Sequence, residues 1–221
     1  KKFYELLSDF SAISVREKNA EVILKTSVGL NATTVLDPTL LLKKEEWDSI
    51  LDQERVTEEK FIFCYFLEPS TLKMQLVKEY AKEKALSIYT IPFLNGFNTT
   101  DIGHRIKWIN DESPLSFIKL IRDAQIIFTD SFHATVFSEI YHKEFFVLPR
   151  SKQKGMSSRV SNLLSVFGHS ARFCDTDEKC NYGYISSLEL PENQEADLKL
   201  LDMRRNSVEF LKVALSEEGF T

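Results

Sequence analysis

The sequence predicts an α/β fold, a Rossmann-like and mostly parallel sheet flanked by helices. Three observations lead there. Apolar runs of strand length alternate with helical stripes at roughly 25-residue spacing, the rhythm of βαβ units. Runs such as Phe61-Ile62-Phe63-Cys64-Tyr65-Phe66-Leu67 are apolar at consecutive positions, as strands covered on both faces are. And Gln125-Ile126-Ile127-Phe128 runs through Thr129-Asp130-Ser131 directly into a helical pattern. That is a sharp turn from a strand's carboxyl end into a helix.

In order along the chain, Ile13-Ser14-Val15-Arg16 reads as a strand that delivers Arg16 to its carboxyl end. Asn19 is placed to cap the next helix and Gly29 to stop it. Thr33-Thr34-Val35-Leu36 is a second short strand, closed by Asp37-Pro38, because proline biases the residue before it away from helix. Lys44 to Leu51 reads as a helix with Trp47 and Ile50 inward. After strand 61–67, Ser70 caps a helix whose inward stripe is Leu72, Leu76, Val77, Tyr80 and Ala81. Leu86 to Ile91 returns as a strand, and 95–112 reads as a long irregular connection.

Ser113-Pro114 opens a helix in cap-then-proline order, with Leu115, Ile118 and Ile121 inward. The strand ending at Thr129 follows, then a helix carrying Phe132, Val136, Phe137, Ile140 and Tyr141 at helical spacing. Phe145 to Pro149 is the next strand. Arg150 to Ser157 is a basic loop holding Lys152 and Lys154, and a helix with Val160, Leu163, Leu164 and Phe167 ends at Gly168. Ala171 to Cys174 reads as a final short strand and 175–193 as a connection. Gln194 to Glu218 is a long helix with Leu198, Leu201, Val208, Leu211 and Leu215 on a stripe, interrupted by Arg205.

The bulk numbers bound the function. At 221 residues, 43% hydrophobic and 28% charged, the chain has the make-up of an ordinary globular protein. A net charge of −5 argues against a nucleic-acid partner, and no apolar run is long enough to span a bilayer. Cys64, Cys174 and Cys180 show neither metal spacing nor a C-x-x-C pair, so a reducing, cytoplasmic setting is expected. No metal is expected, and no cofactor. Neither G-x-G-x-x-G nor G-x-x-x-x-G-K-[ST] occurs.

Candidate chemistry gathers at the carboxyl ends of strands, where open α/β sheets bind ligands. Asp130 and Ser131 can accept hydrogen bonds from a helix's first turn, and His133 lies in that turn beside a natural anion site. Two readings of His133 stay open. At 100° per residue it projects onto the face of Phe132, Val136 and Ile140, as a core histidine would. Arg16, the basic loop and Arg159 are expected to converge with His133 on one sheet edge as a cationic clamp for an anionic substrate. Each cation taken singly is equally a solvated charge, and Ser157-Ser158-Arg159 equally a helix cap.

Four stretches resemble the motifs of the polysaccharide pyruvyl transferases, in family order. They are Ile13-Ser14-Val15-Arg16-Glu17, Val35 to Leu42, Thr129-Asp130-Ser131-Phe132-His133-Ala134-Thr135-Val136-Phe137-Ser138, and Met156-Ser157-Ser158-Arg159-Val160 with Leu163-Leu164. The Gly usual after the family's His is Ala134 here. The resemblance implies two Rossmann-like domains arranged like a GT-B glycosyltransferase. The chain would be the carboxy-terminal half: residues 1–192 a donor-binding domain, and 193–221 a helix packing on it or crossing to an amino-terminal domain that precedes Lys1. It implies transfer of pyruvate from phosphoenolpyruvate, as co-substrate, to two hydroxyls of a glycan or lipid-linked sugar of a cell-surface polysaccharide. By resemblance Arg16 and His133 take the donor-binding and catalytic positions, with Ser131 and Arg159 completing the donor- and anion-binding set. This half alone is expected to be inactive, its exposed stripe folding back or pairing with a second copy as a homo-oligomer.

Two rival classes remain. A nucleotide-sugar glycosyltransferase of similar architecture would want a ribose-binding Glu near the site, for which Glu139 is the candidate. The other is a non-catalytic domain of a polysaccharide-assembly complex.

Overall fold

The computed structural model describes residues 2–68, 70–91, 106–110, 113–150, 154–174, 180–189 and 193–216, without the side chains of 154–157. The chain divides into two compact units: Lys1–Lys43 with Gln194–Thr221, and residues 44–193. This grouping differs from the expected boundary after residue 192: the first 43 residues go with the terminal helix, not with the large sheet.

The second unit holds helix α3 (Lys44–Ile50), strand β3 (Phe61–Tyr65), helix α4 (Thr71–Lys84), strands β4 (Ser87–Thr90) and β5 (Ile106–Trp108), and helix α5 (Pro114–Asp123). Strand β6 (Ile126–Thr129), helix α6 (Phe132–Ile140), strand β7 (Glu144–Val147), and helices α7 (Lys154–Phe167) and α8 (Tyr182–Ser187) complete it. Its five strands form one parallel sheet in the order β5-β4-β3-β6-β7. The chain winds outward from β3 on one side, then crosses to β6 and winds outward on the other. The reversal between β3 and β6 is the topological switch point of a doubly wound sheet, and ligands bind outside the strands' carboxyl ends there.

Side-chain alternation divides the core between the two faces of the sheet. Ile62 and Cys64 of β3, Ile126 and Phe128 of β6, and Phe146 of β7 pack with Met74, Val77 and Tyr80 of α4 and Ile185 of α8. On the other face Phe63 meets Phe117 of α5 edge-on at 5.9 Å, and Phe117 meets Phe137 of α6 at 6.3 Å. Trp47 of α3 adds a T-shaped contact to Phe137 at 5.0 Å. Helices therefore cover both faces, which is why β3 and β6 run apolar through Phe61–Cys64 and Ile126–Phe128.

The caps follow the sequence. Ser70, Ser113 and Ser131 each accept a first-turn N–H, and Gly168 ends α7 in the left-handed region at φ 77°. Some details differ from expectation. Residues 106–108 form an edge strand inside the stretch read as irregular; residues 95–105 and 111–112 of that stretch lie outside the described residues. The expected strand at 171–174 is a 3-10 turn, Ser170–Arg172, with a single parallel bridge from Phe173 to Val147. Leu72, Leu115 and Ile50, expected inward, are exposed.

The first unit holds α1 (Lys2–Leu7), β1 (Ser14–Val15), α2 (Lys18–Ile23), β2 (Thr33–Thr34) and α9 (Gln194–Ser216). Helix α2 runs on into a π-turn that Gly29 stops at φ 82°. Strands β1 and β2 pair with each other in a separate two-stranded parallel sheet. Helix α9 is tied to the exit from β2: Ser207 Oγ accepts the Leu36 N–H at 3.0 Å, and Arg204 donates to the Leu40 and Leu42 carbonyls at 2.6 and 3.0 Å. Its buried residues are Ala196, Leu200 and Ser207, while the apolar stripe read as its packing face is exposed, Leu198 at 61% and Leu215 at 59%. Ala196 and Ser207, two of the three buried residues, have short side chains, and Leu198, Leu201, Leu211 and Leu215 stay exposed.

Candidate active site

Helix α6 is built to present its first turn. Thr129, at the end of β6, donates its hydroxyl to the Tyr65 carbonyl at 2.6 Å and accepts the Ser131 N–H at 3.0 Å. Ser131 Oγ then accepts the Ala134 N–H at 3.4 Å, capping the helix. Inside the helix Thr135 and Ser138 return their hydroxyls to the carbonyls of Ser131 and Ala134, at 3.0 and 2.7 Å. Every residue from Ala134 to Ile140 is buried. Phe132 is half-buried and His133 is exposed.

His133 is therefore not a core histidine. The helical-wheel reading assumed one apolar face and one wet face. Helix α6 is instead enclosed on nearly all sides by the sheet, α3, α5 and α7, so exposure depends on position along the axis. Only the first turn clears the carboxyl edge of the sheet. There the Phe132 ring meets the His133 imidazole edge-on at 5.5 Å, and the Arg159 guanidinium lies 5.6 Å from the Phe132 ring centre. Arg159 and His133 are thus brought together around one aromatic ring, and cation–π attraction holds the guanidinium. Ser158 is exposed, while residues 151–153, Lys152 among them, and the side chains of Lys154, Met156 and Ser157 lie outside the described residues. Ala134 is wholly buried.

At the switch point sits a group whose role the sequence reading missed. Asp130 was grouped with Ser131 as a helix cap. Only Ser131 caps. The Asp130 carboxylate, with 0% exposure, turns to the loop after β3. It accepts the backbone N–H groups of Leu67 at 2.6 Å and Glu68 at 2.9 Å, and the Lys73 ammonium at 3.0 Å. The Arg150 Nε lies 3.6 Å away. Lys73 also donates to the Glu68 carbonyl at 3.1 Å, with its ammonium 5.2 Å from the Phe66 ring centre. A possible signal for this was a lysine beside the apolar stripe of α4, but its partner lies 57 residues away.

Arg16 belongs to the first unit. Strand β1 belongs to the two-stranded sheet of the first unit, so the expected convergence of Arg16, His133 and the basic loop on one edge of one sheet is corrected. Arg16 pairs with Asp37, which also accepts the Thr39 N–H at 3.1 Å and the Thr39 hydroxyl at 2.6 Å. Burial pushes the Asp37 carboxyl up, but the hydrogen bonds from Thr39 and Arg16 outweigh it and hold the group below its ordinary value. Arg16 keeps 43% of its side chain exposed and lines a cavity of about 320 Å³ with Ser14, Val15, Leu36, Pro38 and Leu211. A paired but accessible guanidinium on a small, largely apolar cavity can still donate to a ligand carboxylate or phosphate.

Glu139, the candidate ribose ligand, is buried and engaged: both of its oxygens lie 2.8 Å from His169 Nδ1. Arg172, stacked on the Phe145 ring at 4.6 Å, is the neighbouring cation, its own pKa lowered by burial against the pull of Glu139 and Glu144. Among the described residues no group of three or more His, Cys, Asp or Glu is placed to hold a metal ion. No described helix is long and apolar enough to cross a membrane.

No curated protein matches the chain. Among solved structures, the glycotransferase of kitacinnamycin is similar at 14% identity and a TM-score of 0.49, over 76% of this chain and 44% of that one. The glycosyltransferase SnogD from Streptomyces nogalater is similar at 10% identity and a TM-score of 0.44, over 91% and 61%. The UDP-GlcNAc 2-epimerase of Methanocaldococcus jannaschii follows at 13% and 0.42, over 74% and 42%. The chain thus spans about half the length of the solved structures it resembles. The family model for polysaccharide pyruvyl transferase matches residues 1–152, which include β1 with Arg16 and the whole of β6–α6 with His133. The chain belongs to the polysaccharide pyruvyl transferase family.

Proposed function

We propose that the chain serves the transfer of pyruvate from phosphoenolpyruvate to two hydroxyls of one sugar of a polysaccharide or its lipid-linked precursor. The observation that supports this most is His133. It is the exposed residue of an otherwise enclosed helix, capped at the carboxyl end of a strand, within a stretch the family model covers. The chemistry asks for such a group. A proton must reach the methylene carbon of the donor, leaving its neighbouring carbon electrophilic. One sugar hydroxyl adds there and loses its proton. Phosphate then leaves with the second proton as the other hydroxyl closes the cyclic ketal. An imidazole titrates near neutral pH and can both give and take these protons.

The remaining roles follow from charge. Arg159, held over Phe132 beside His133, would donate to the donor's phosphate or carboxylate. Ser131 would hold the first turn in place for it. Arg16, on the cavity of the first unit, is a further cation able to donate to a carboxylate or phosphate. No step requires a metal.

The experiment is a calorimetric titration of phosphoenolpyruvate into the chain and into its Arg16→Ala, Arg159→Ala and His133→Ala variants. Loss of an arginine that contacts the donor should weaken binding at least tenfold, since a charge-assisted bond is worth about 1.5–3 kcal/mol. His133→Ala should bind nearly as the unmutated chain does. Absence of saturable phosphoenolpyruvate binding to the unmutated chain would refute the reading.

A further inference from the structure

In a doubly wound sheet the loop after the first strand and the start of its helix ordinarily receive a ligand phosphate, through bare backbone N–H groups. Here that strand is β3, and the position is already taken. The N–H groups of Leu67 and Glu68 both point to the Asp130 carboxylate, at 2.6 and 2.9 Å. The Lys73 ammonium, from the first turn of α4, completes the cradle at 3.0 Å. Two loop N–H groups and a lysine are what such folds offer a phosphate, and the anion they hold is an aspartate from the strand across the switch point. Its side chain has no exposure and that of Lys73 has 5%, so nothing exchanges with solvent. The loop sequence agrees. Between Tyr65 and Ser70 stand Phe66, Leu67, Glu68 and Pro69, with none of the glycines that let a diphosphate approach the backbone.

We propose that Asp130 is a built-in anion that fills the phosphate position of this fold and so determines specificity, excluding nucleoside diphosphates and their sugars from the β3–β6 crevice. The inference does not depend on which donor the exposed turn of α6 receives; it concerns what is kept out. It also accounts for the cost of burying Lys73, since an ammonium removed from water needs a paired anion.

Chemical rescue tests it without any assay of turnover. Asp130→Ala leaves Lys73 and the two N–H groups facing a carboxylate-sized gap. Its melting temperature should fall, and sodium acetate should restore at least half of the loss with saturation, while sodium chloride at matched ionic strength does not. The unmutated chain should show no acetate effect beyond that of chloride. Equal responses of the two chains to acetate, or no response in either, overturn the proposal. A second measurement needs no variant, should Asp130→Ala fail to fold. UDP and GDP titrated into the unmutated chain should give no saturable binding that perturbs the amide resonances of Leu67 and Glu68. Saturable perturbation of those two amides by either nucleotide overturns it.

Discussion

Replacing His133 with alanine should separate chemistry from folding more cleanly than any other change in the chain. The side chain is exposed in the first turn of α6, whereas the seven residues after it are buried. A surface substitution of this kind shifts stability by at most about 0.5 kcal/mol, which on a unit of this size moves the melting temperature by roughly 2 °C at most. The neighbour gives the contrast. Ala134 has no exposure, and enlarging it to valine should cost about 1–3 kcal/mol through overpacking. If His133 transfers the proton as proposed, its removal should lower turnover by about 10²–10⁴-fold, a barrier increase of roughly 3–5 kcal/mol. Donor affinity should stay within threefold, because the proposal assigns donor binding to the arginines. The assay is phosphate release from phosphoenolpyruvate by the intact enzyme, beside a calorimetric donor titration and a thermal melt. Turnover within threefold of the unmutated enzyme removes His133 from the mechanism. A melting temperature lowered by much more than 2 °C returns it to the core.

Two further outcomes follow from charge and burial. The Asp37 carboxyl is held below its ordinary value, so its bonds to Thr39 and Arg16 stabilise the first unit above the unfolded-state pKa, and that stability is lost as pH falls through the lowered folded value. Asp37→Asn should therefore destabilise the unit at neutral pH and flatten its acid dependence, as melts between about pH 7 and pH 2 will show, the range over which a carboxylate of this kind is protonated; an unchanged acid profile contradicts the pairing. Glu139→Ala strands the His169 ring, which has no exposure, beside the buried Arg172. Breaking a buried pair costs about 3–5 kcal/mol, so the melting temperature should drop by roughly 10 °C; a drop within 2 °C would show that the cluster contributes little.

The parts of the fold legible in the sequence are those where burial is continuous. Phe61 to Cys64 and Ile126 to Phe128 are buried, and strands covered on both faces run apolar at consecutive positions. Short elements carry no such signal. Ile106–Trp108 is a three-residue edge strand with an exposed Lys107 at its centre. Strands β1 and β2 read like strands of the main sheet because a two-residue pairing leaves no mark of which sheet it joins. Long-range pairing was equally hidden: Lys73 is buried and Leu72 exposed, the reverse of their hydropathy, because Asp130 waits 57 residues away. The terminal helix departs from the same rule, burying the polar Ser207 with Ala196 and Leu200 while Leu198, Leu201, Leu211 and Leu215 stay exposed. Of the candidate site, the strand end, the Ser131 cap and the place of His133 could be read locally. That His133 is exposed could not, since it depends on where α6 clears the edge of the sheet.

The most direct test of the proposed reaction is to look for its product. The intact enzyme is incubated with phosphoenolpyruvate and a pool of glycan acceptors, and phosphate release is measured alongside nuclear magnetic resonance of the glycan. Phosphate and a cyclic pyruvate ketal should appear in equal amounts, the ketal carbon bonded to two oxygens of a single sugar, and both should be lost in His133→Ala. Phosphate release without ketal, or glycan transfer that depends on a nucleotide sugar and ignores phosphoenolpyruvate, would contradict it.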